Sequence, residues 1–465
     1  MAPVTDSDAV DNPRAGLARG SLAGIAAAGA NATSQFLIVL VVTRSLDPDS
    51  AGAFFTATAL CLMLAGILRL DTGNGLIYVL ARENRGPTSE SREPRPGPER
   101  PHARSVLWTA LPPVVVLSVV AACTVALFRE ELRDLTGVPV GVWRVLAAIL
   151  PAIVLADVLV SATRGLGSMR PTLLLDGLAE PLGQLALVTA AVLTGVSLPT
   201  LAAAWALPAI ATAVVAALWL LRREPYGDDG AVTFQWNTER FRRDSAAFWR
   251  YTAPRSAAAA IQSVFQRLDI VIVAVLAGPA PAAVYTAATR FKVVGQLANQ
   301  GLAQAVQPRL VRALTEGDLA RARELYQTTT MWLVVLTWPI WLGYAALAPW
   351  LLPLFGPVYG NGVAVAVVLS ATMMVATACG MVDVVLIASG RTTASLVNTA
   401  SAVAATIVLD VLLVPSHGAL GAALGWSGGV LVKNLLPLVQ ISRRYGLRPF
   451  GRHSSAALRL SRVPA

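Results

Sequence analysis

The apolar runs constrain this chain more than any other feature. About twelve of them follow one another, at 20–43, 51–81, 105–128, 143–163, 172–196, 199–221, 250–277, 282–308, 327–349, 361–389, 393–414 and 418–440. Each is near the roughly 20 residues needed to cross a hydrocarbon core. In hydrocarbon a segment must satisfy its own backbone N–H and C=O groups, so a series of such runs can only be a helical bundle. The expected fold class is an all-α integral membrane protein. Composition agrees: 55% of the 465 residues are hydrophobic and only 14% are charged, more apolar than a soluble domain can hide. The run at 20–43 is too long for a signal-peptide core and is read as an uncleaved first span.

Charge placement gives the orientation. The segments 1–19, 82–104, 164–171, 222–250, 309–326, 390–392 and 441–465 carry most of the arginines, and the alternate loops hold only Arg44, Arg129, Arg133 and Arg144. Basic residues concentrate on the cytoplasmic side, so both termini are expected inside the cytoplasmic membrane. The net charge of +10 is thereby used on a membrane surface, and no nucleic-acid partner is expected. Residues 1–19 read as a polar leader, 82–104 as a flexible Pro/Arg/Glu-rich loop, and 441–465 as a basic tail. Phe234, Trp236, Phe241, Phe248 and Trp249 among the arginines of 222–249 read as an amphipathic helix at the inner headgroups. That linker separates two sets of six spans, 20–221 and 250–440.

Polar residues mark the centre of the chain. Arg255, Gln262, Gln266 and Asp269 are spaced by 7, 4 and 3 residues and so share one helical face. After the turn Gly278-Pro279-Ala280-Pro281, a second stripe runs through Lys292, Gln296, Asn299, Gln300, Gln304 and Gln307. Ionisable groups in hydrocarbon are costly and normally face protein or a wet cavity. The stripes therefore indicate a hydrated interior pathway, with polar packing between helices as the alternative. The halves also echo each other. Phe55–Ala59 aligns with Tyr285–Thr289, Leu201–Trp205 with Ala422–Trp426, and Arg170-Pro171-Thr172 with Arg391-Thr392-Thr393. An even number of spans per half makes the repeats parallel, about an axis along the membrane normal.

Several stretches resemble a known family: Gln266-Arg267-Leu268-Asp269, Val284–Phe291, Gln307-Pro308-Arg309-Leu310, and Val411–Ala423, VLLVPSHGALGAA. Thr43–Leu46, Gly52-Ala53-Phe54 and Gly73-Asn74-Gly75 match more loosely. Together they resemble the polysaccharide-transporter and oligosaccharide-flippase branch of the multidrug/oligosaccharidyl-lipid/polysaccharide (MOP) exporter superfamily. The resemblance implies two six-helix lobes around a central cavity, and translocation of an undecaprenyl-(pyro)phosphate-linked oligosaccharide by alternating access. Two departures are visible: Asp410 stands where an asparagine is common, and about twelve spans stand where lipid II flippases usually have fourteen.

For such a substrate, Arg255, Arg290, Lys292 and Arg69 are candidate ligands of the anion, because guanidinium stays charged and forks onto phosphate. Gln262, Gln266, Gln296, Asn299 and Gln300 can hydrogen-bond sugar hydroxyls, and Arg267 points away from the polar face. No Gly-rich phosphate loop occurs, so ATP hydrolysis is not expected. Intramembrane carboxylates are the usual alternative for coupling to H⁺ or Na⁺; the candidates are Asp269, Asp71, Asp383 and Asp410, with Asp157 and Asp176 also inside spans. No other cofactor or metal is expected: Cys61, Cys123 and Cys379 and the three isolated histidines have no ligand spacing. Expected partners are the lipid-linked oligosaccharide, membrane lipids, and a polysaccharide polymerase or glycosyltransferases. Two rival classes remain: an organic-cation exporter of the same superfamily, which the basic stripe disfavours, and a membrane enzyme of polysaccharide assembly, which the short outer loops disfavour.

Overall fold

The computed structural model describes residues 13–84, 103–222 and 238–454. Within its helices, the side chains of 13–23, 25, 80–84, 103–105, 238–241, 243–244, 292–298, 300 and 304 lie outside the description. Most of the 82–104 loop and the first part of the 222–249 linker fall outside it too. Every regular element among the described residues is helical: α1 Pro13–Ser45, α2 Pro48–Leu68, α3 Thr72–Asn84, α4 Ala103–Leu127, α5 Arg129–Thr136, α6 Val140–Gly165, α7 Glu180–Leu193, α8 Leu198–Arg222, α9 Thr238–Ala277, α10 Pro279–Thr289, α11 Lys292–Thr315, α12 Leu319–Leu351, α13 Val363–Ala378, α14 Val382–Ala388 and α15 Thr392–Tyr445. A π-helical stretch, Thr172–Ala179, runs directly into α7.

Ten helical segments among the described residues are long and apolar enough to cross a membrane. The last of them, α15, has 54 residues, about 80 Å of helix against a core of about 30 Å. It is two crossings. The chain folds back at Gly418, whose φ of 53° and ψ of −127° lie outside the helical region. The remaining span is α10 with α11, too polar to pass a hydropathy criterion. The all-α fold with about twelve spans is thus present.

The described helices pack into two compact units. One comprises Met1–Val41, Leu64–Arg129 and Val140–Ala260; the other comprises Val42–Met63, Glu130–Pro139 and Ile261–Ala465. In the first, α6 packs against α8, α4 and α3, and α7 packs on α8. In the second, α12 packs against α13 and α11, and α15 against α13, α14 and α10. Most of α2 and most of α5 belong to the second unit.

Two local expectations change. The aromatic segment before span seven is not a separate interfacial helix over its described part: residues 238–249 are the first turns of the 40-residue α9. Phe248 is buried at 3% exposure, against the backbone of Gly75 on α3. Of the three thiols expected to be buried, Cys61 and Cys379 are, but Cys123 is exposed.

The turn into α2 shows how local chemistry starts a helix outside the spans. Asp47 precedes Pro48, and its Oδ2 accepts the Ser50 N–H at 2.9 Å, the usual satisfaction of a free first-turn donor. That bond holds the Asp47 carboxyl below its ordinary value of 3.8. Asp47→Ala is expected to cost about 1 kcal/mol at neutral pH. Because the folded pKa is the depressed one, the difference is present above pH 3.8 and fades as pH falls through the folded value. Thermal denaturation of both proteins at pH 7 and near pH 3 checks this; an undiminished difference in acid refutes it.

Candidate functional site

Span two breaks between α2 and α3. Leu70 and Asp71 take φ values of 51° and 50°, a left-handed conformation that costs non-glycine residues about 1–3 kcal/mol each. The break leaves backbone carbonyls without helical partners, and other helices supply them. Ser256 Oγ of α9 donates to the Leu70 carbonyl, and Thr72 Oγ1 donates to that of Arg69 at 2.7 Å.

This break gathers charge within the first unit. Arg255 Nε donates to Asp71 Oδ2 at 2.8 Å, with the Asp71 side chain 11% exposed and that of Arg255 47%. Asn74 Nδ2 donates to Asp71 Oδ1 at 2.6 Å. The Arg255 guanidinium lies over the Tyr251 ring, 5.5 Å from its centroid, and Tyr251 stacks on Tyr78 at 4.2 Å. Arg69 donates from Nη1 to Asp157 Oδ2 of α6 at 2.6 Å. Asp176 and Glu180 lie within electrostatic reach of Asp157, and Arg164 bonds Ser161 at 2.6 Å. Four carboxylates and three guanidinium groups thus concentrate here. Both basic candidates of this unit are already paired, Arg255 with Asp71 and Arg69 with Asp157. Glu180 was missed; a glutamate before Pro181 in an apolar run was its only signal.

Span eight loosens between α10 and α11, where Arg290 (φ −62°, ψ −31°) and Phe291 (φ −74°, ψ −19°) keep right-handed torsions. Here too a hydroxyl from another helix takes a nearby carbonyl: Tyr344 OH donates to Ala288 O at 2.6 Å. Phe291 stacks on Tyr344 with centroids 4.5 Å apart. The Arg290 Nε is buried without a hydrogen-bond partner. Counting spans from the start of each half, both irregularities fall in the second span. Each carries an arginine, with a charged residue two positions later: Arg69 and Asp71, then Arg290 and Lys292. The aligned segments ahead of them are alike as well. Thr56 and Thr286 occupy matching positions, both fully buried and both with an unpartnered hydroxyl.

The second unit holds two buried carboxylates. Asp269 is 2% exposed and accepts the Tyr285 hydroxyl at 2.6 Å and the Ile270 N–H at 2.9 Å. Arg290 lies within electrostatic reach of Asp269, and the side chain of Lys292, the other nearby cation in the sequence, lies outside the description. Asp410 is completely buried. Neither of its oxygens has a hydrogen-bond partner, and it lies within electrostatic reach of Asp269. It sits against Gly425 on the returning arm of α15, where any Cβ would collide with the carboxylate. Among the described residues no three His, Cys, Asp or Glu side chains form a metal cluster.

The other candidates scatter. Asp383, in the first turn of α14, accepts the Ser395 hydroxyl, a helix-terminus arrangement. Gln262 accepts from Lys433 Nζ at 3.2 Å, and Lys433 lies 4.9 Å from the centroid of Phe265; sequence reasoning did not single out this lysine. Gln266 and Asn299 are exposed. Gln296 and Gln300 lie outside the description. Arg267 is half-buried and close enough to Arg290 to repel it.

The sequence profile of the polysaccharide biosynthesis protein family matches residues 17–314, and the MatE profile matches 254–412. No curated protein sequence matches the chain. Among solved structures, an inward-facing multidrug resistance MATE family transporter of the MOP superfamily aligns at 19% identity and TM-score 0.66, over 93% of this chain and 96% of that one. The lipid II flippase MurJ, in an inward closed conformation, aligns at 12% identity and TM-score 0.69, over 94% and 90%. A MOP superfamily transporter from Pyrococcus furiosus, described as having a binding pocket of reverse polarity, aligns at 18% and 0.56, over 92% and 95%.

Proposed function

Because the chain belongs to the polysaccharide biosynthesis protein family and carries the MOP fold, we propose that it flips an undecaprenyl-(pyro)phosphate-linked oligosaccharide across the cytoplasmic membrane. The supporting observation is an arginine at an irregularity in the second span of each half: Arg69 at the left-handed break, and Arg290 where α10 gives way to α11. Interrupted helices in matching positions are where repeat-built transporters place their sites. A lipid-linked glycan needs a cation for its phosphates and neutral donors for its hydroxyls; the first unit carries Arg255 and Arg69, and the second carries Arg290 with Gln262, Gln266 and Asn299. Arg255 engages Asp71 through Nε, and an arriving phosphate takes its guanidinium by exchange with that carboxylate.

Coupling falls to Asp269 and Asp410. The buried Asp410 carboxylate accepts no hydrogen bond, which is costly, and binding H⁺ or Na⁺ beside it and the neighbouring Asp269 relieves that cost, so the bound ion and the protein's conformation are linked. Both termini face the cytoplasm in this reading, as the arginine distribution directs. The organic-cation exporter stays as a second reading, supported by the MatE match and by these two carboxylates.

The test uses the purified full-length chain in liposomes carrying a fluorescent lipid-linked oligosaccharide. Glycan exposure to an impermeant lectin is followed under an imposed proton or sodium gradient, beside uptake of a fluorescent organic cation. Gradient-dependent exposure of the glycan is expected. Cation uptake without it replaces flippase with exporter.

A further inference from the structure

At its C-terminal end α15 forms a groove of about 570 Å³, lined by Leu438, Val439, Ser442, Arg443, Arg448 and Phe450 among others. No carboxylate lines it. The turn that completes the groove is held in place. Gly446 ends α15 in the left-handed conformation, with φ 64°, and the following Leu447 is fully buried in a cluster with Tyr326 and Ile441. Gln327 of α12, itself 4% exposed, donates to the Arg448 carbonyl at 3.4 Å and accepts the His453 N–H at 3.3 Å. Arg448 and Phe450 therefore stand on a clamped segment beside Arg443 of the last helical turn.

Depth follows from helix length. From the fold-back at Gly418, the returning arm of α15 reaches Arg443 after about 36 Å of rise. The hydrocarbon core is about 30 Å thick, and 40–45 Å with headgroups, so Arg443 and the groove stand at headgroup level. Toward the core, Leu435, Leu436 and Val439 continue from the groove as an apolar strip, each more than 40% exposed.

We propose that this groove binds an anionic phospholipid of the adjacent leaflet, its phosphate between Arg443 and Arg448 and an acyl chain along Val439 and Leu435. Two guanidinium groups with no acidic neighbour in the lining suit a phosphate diester; Phe450 and the strip suit the glycerol end and the chain. The site is independent of the charged breaks and of the transported substrate.

Native mass spectrometry of the purified full-length protein tests it, titrating phosphatidylglycerol, phosphatidylcholine and inorganic phosphate separately. Phosphatidylglycerol is expected to be retained in preference to phosphatidylcholine, and inorganic phosphate is expected not to displace it. The double variant Arg443→Gln/Arg448→Gln is expected to lose about tenfold or more in affinity. Arg444→Gln, which removes a charge from the same turn outside the groove, is expected to bind like the parent. Equal retention by the double variant, or equal loss in Arg444→Gln, overturns the site; displacement by inorganic phosphate overturns the lipid as its occupant. Should the double variant fail to purify, Phe450→Ala, which spares the Gln327 clamp and the Leu447 plug, is expected to weaken retention. Unchanged retention there also overturns the proposal.

Discussion

Asp410→Asn is expected to stabilise the protein and abolish gradient-driven transport. The carboxylate is completely buried and both oxygens lack partners, and a polar group left in that state costs about 1–3 kcal/mol, more when charged. Asparagine has nearly the same shape, so it fits against Gly425 without the collision a larger residue would cause, and it removes the charge. A gain of about 1–3 kcal/mol is expected. Asp269→Asn should go the other way. Asp269 accepts a hydroxyl and a backbone N–H, so its loss weakens charge-assisted bonds and destabilises by about 1–2 kcal/mol. Both variants should lose coupling, read as lectin-accessible glycan with and without a gradient. Two neighbouring carboxylates would then share one functional phenotype with opposite effects on stability. A drop in melting temperature for Asp410→Asn would show that the carboxylate has a partner in the membrane-embedded protein and would remove it from the coupling site.

The second large effect concerns Arg255. Removing it strands Asp71, whose side chain is 11% exposed. Breaking a buried pair costs about 3–5 kcal/mol; with Arg255 half in the open, about 1–2 kcal/mol is the appropriate figure. Arg255→Ala should therefore insert in reduced amount, and Asp71→Asn added to it should restore abundance. Flipping should stay at least about tenfold down in the double variant, because the anion-binding group is still missing. Arg255→Lys should recover only part of the rate, since a point charge replaces a fork. Membrane abundance and glycan translocation are to be measured separately. Full flipping by the double variant would exclude Arg255 from the substrate site, and unrestored abundance would show that Asp71 is not its structural partner.

Both predictions rest on facts of different legibility. Crossings could be read from the sequence because hydrophobicity is a local property, and the Gly278-Pro279 turn because its backbone demands are local. Arg69, Asp71, Arg255 and Asp269 could also be singled out, since a charge in an apolar run is conspicuous. Their partners could not. Arg69 reaches Asp157 across 88 positions and Arg255 reaches Asp71 across 184; no periodicity carries information over such separations. Arg69 and Asp71, two residues apart, go to different partners across the left-handed turn at Leu70-Asp71. The interruption of span two was hidden for a related reason. Leucine and aspartate are poor signals of positive φ, and the helices around them, Ser256 included, make that conformation tenable.

The fold-back at Gly418 bears on how the chain enters the bilayer at all. Its leading arm carries Asp410, and alone in lipid that arm would hold a carboxylate against acyl chains. The trailing arm, with Gly425 and Gly429 approaching Asp410 and Thr406 closely, helps to enclose it. The two arms are therefore expected to enter the bilayer together as one hairpin: a chain ended after Val414 should integrate its last span less completely than one carried to Tyr445.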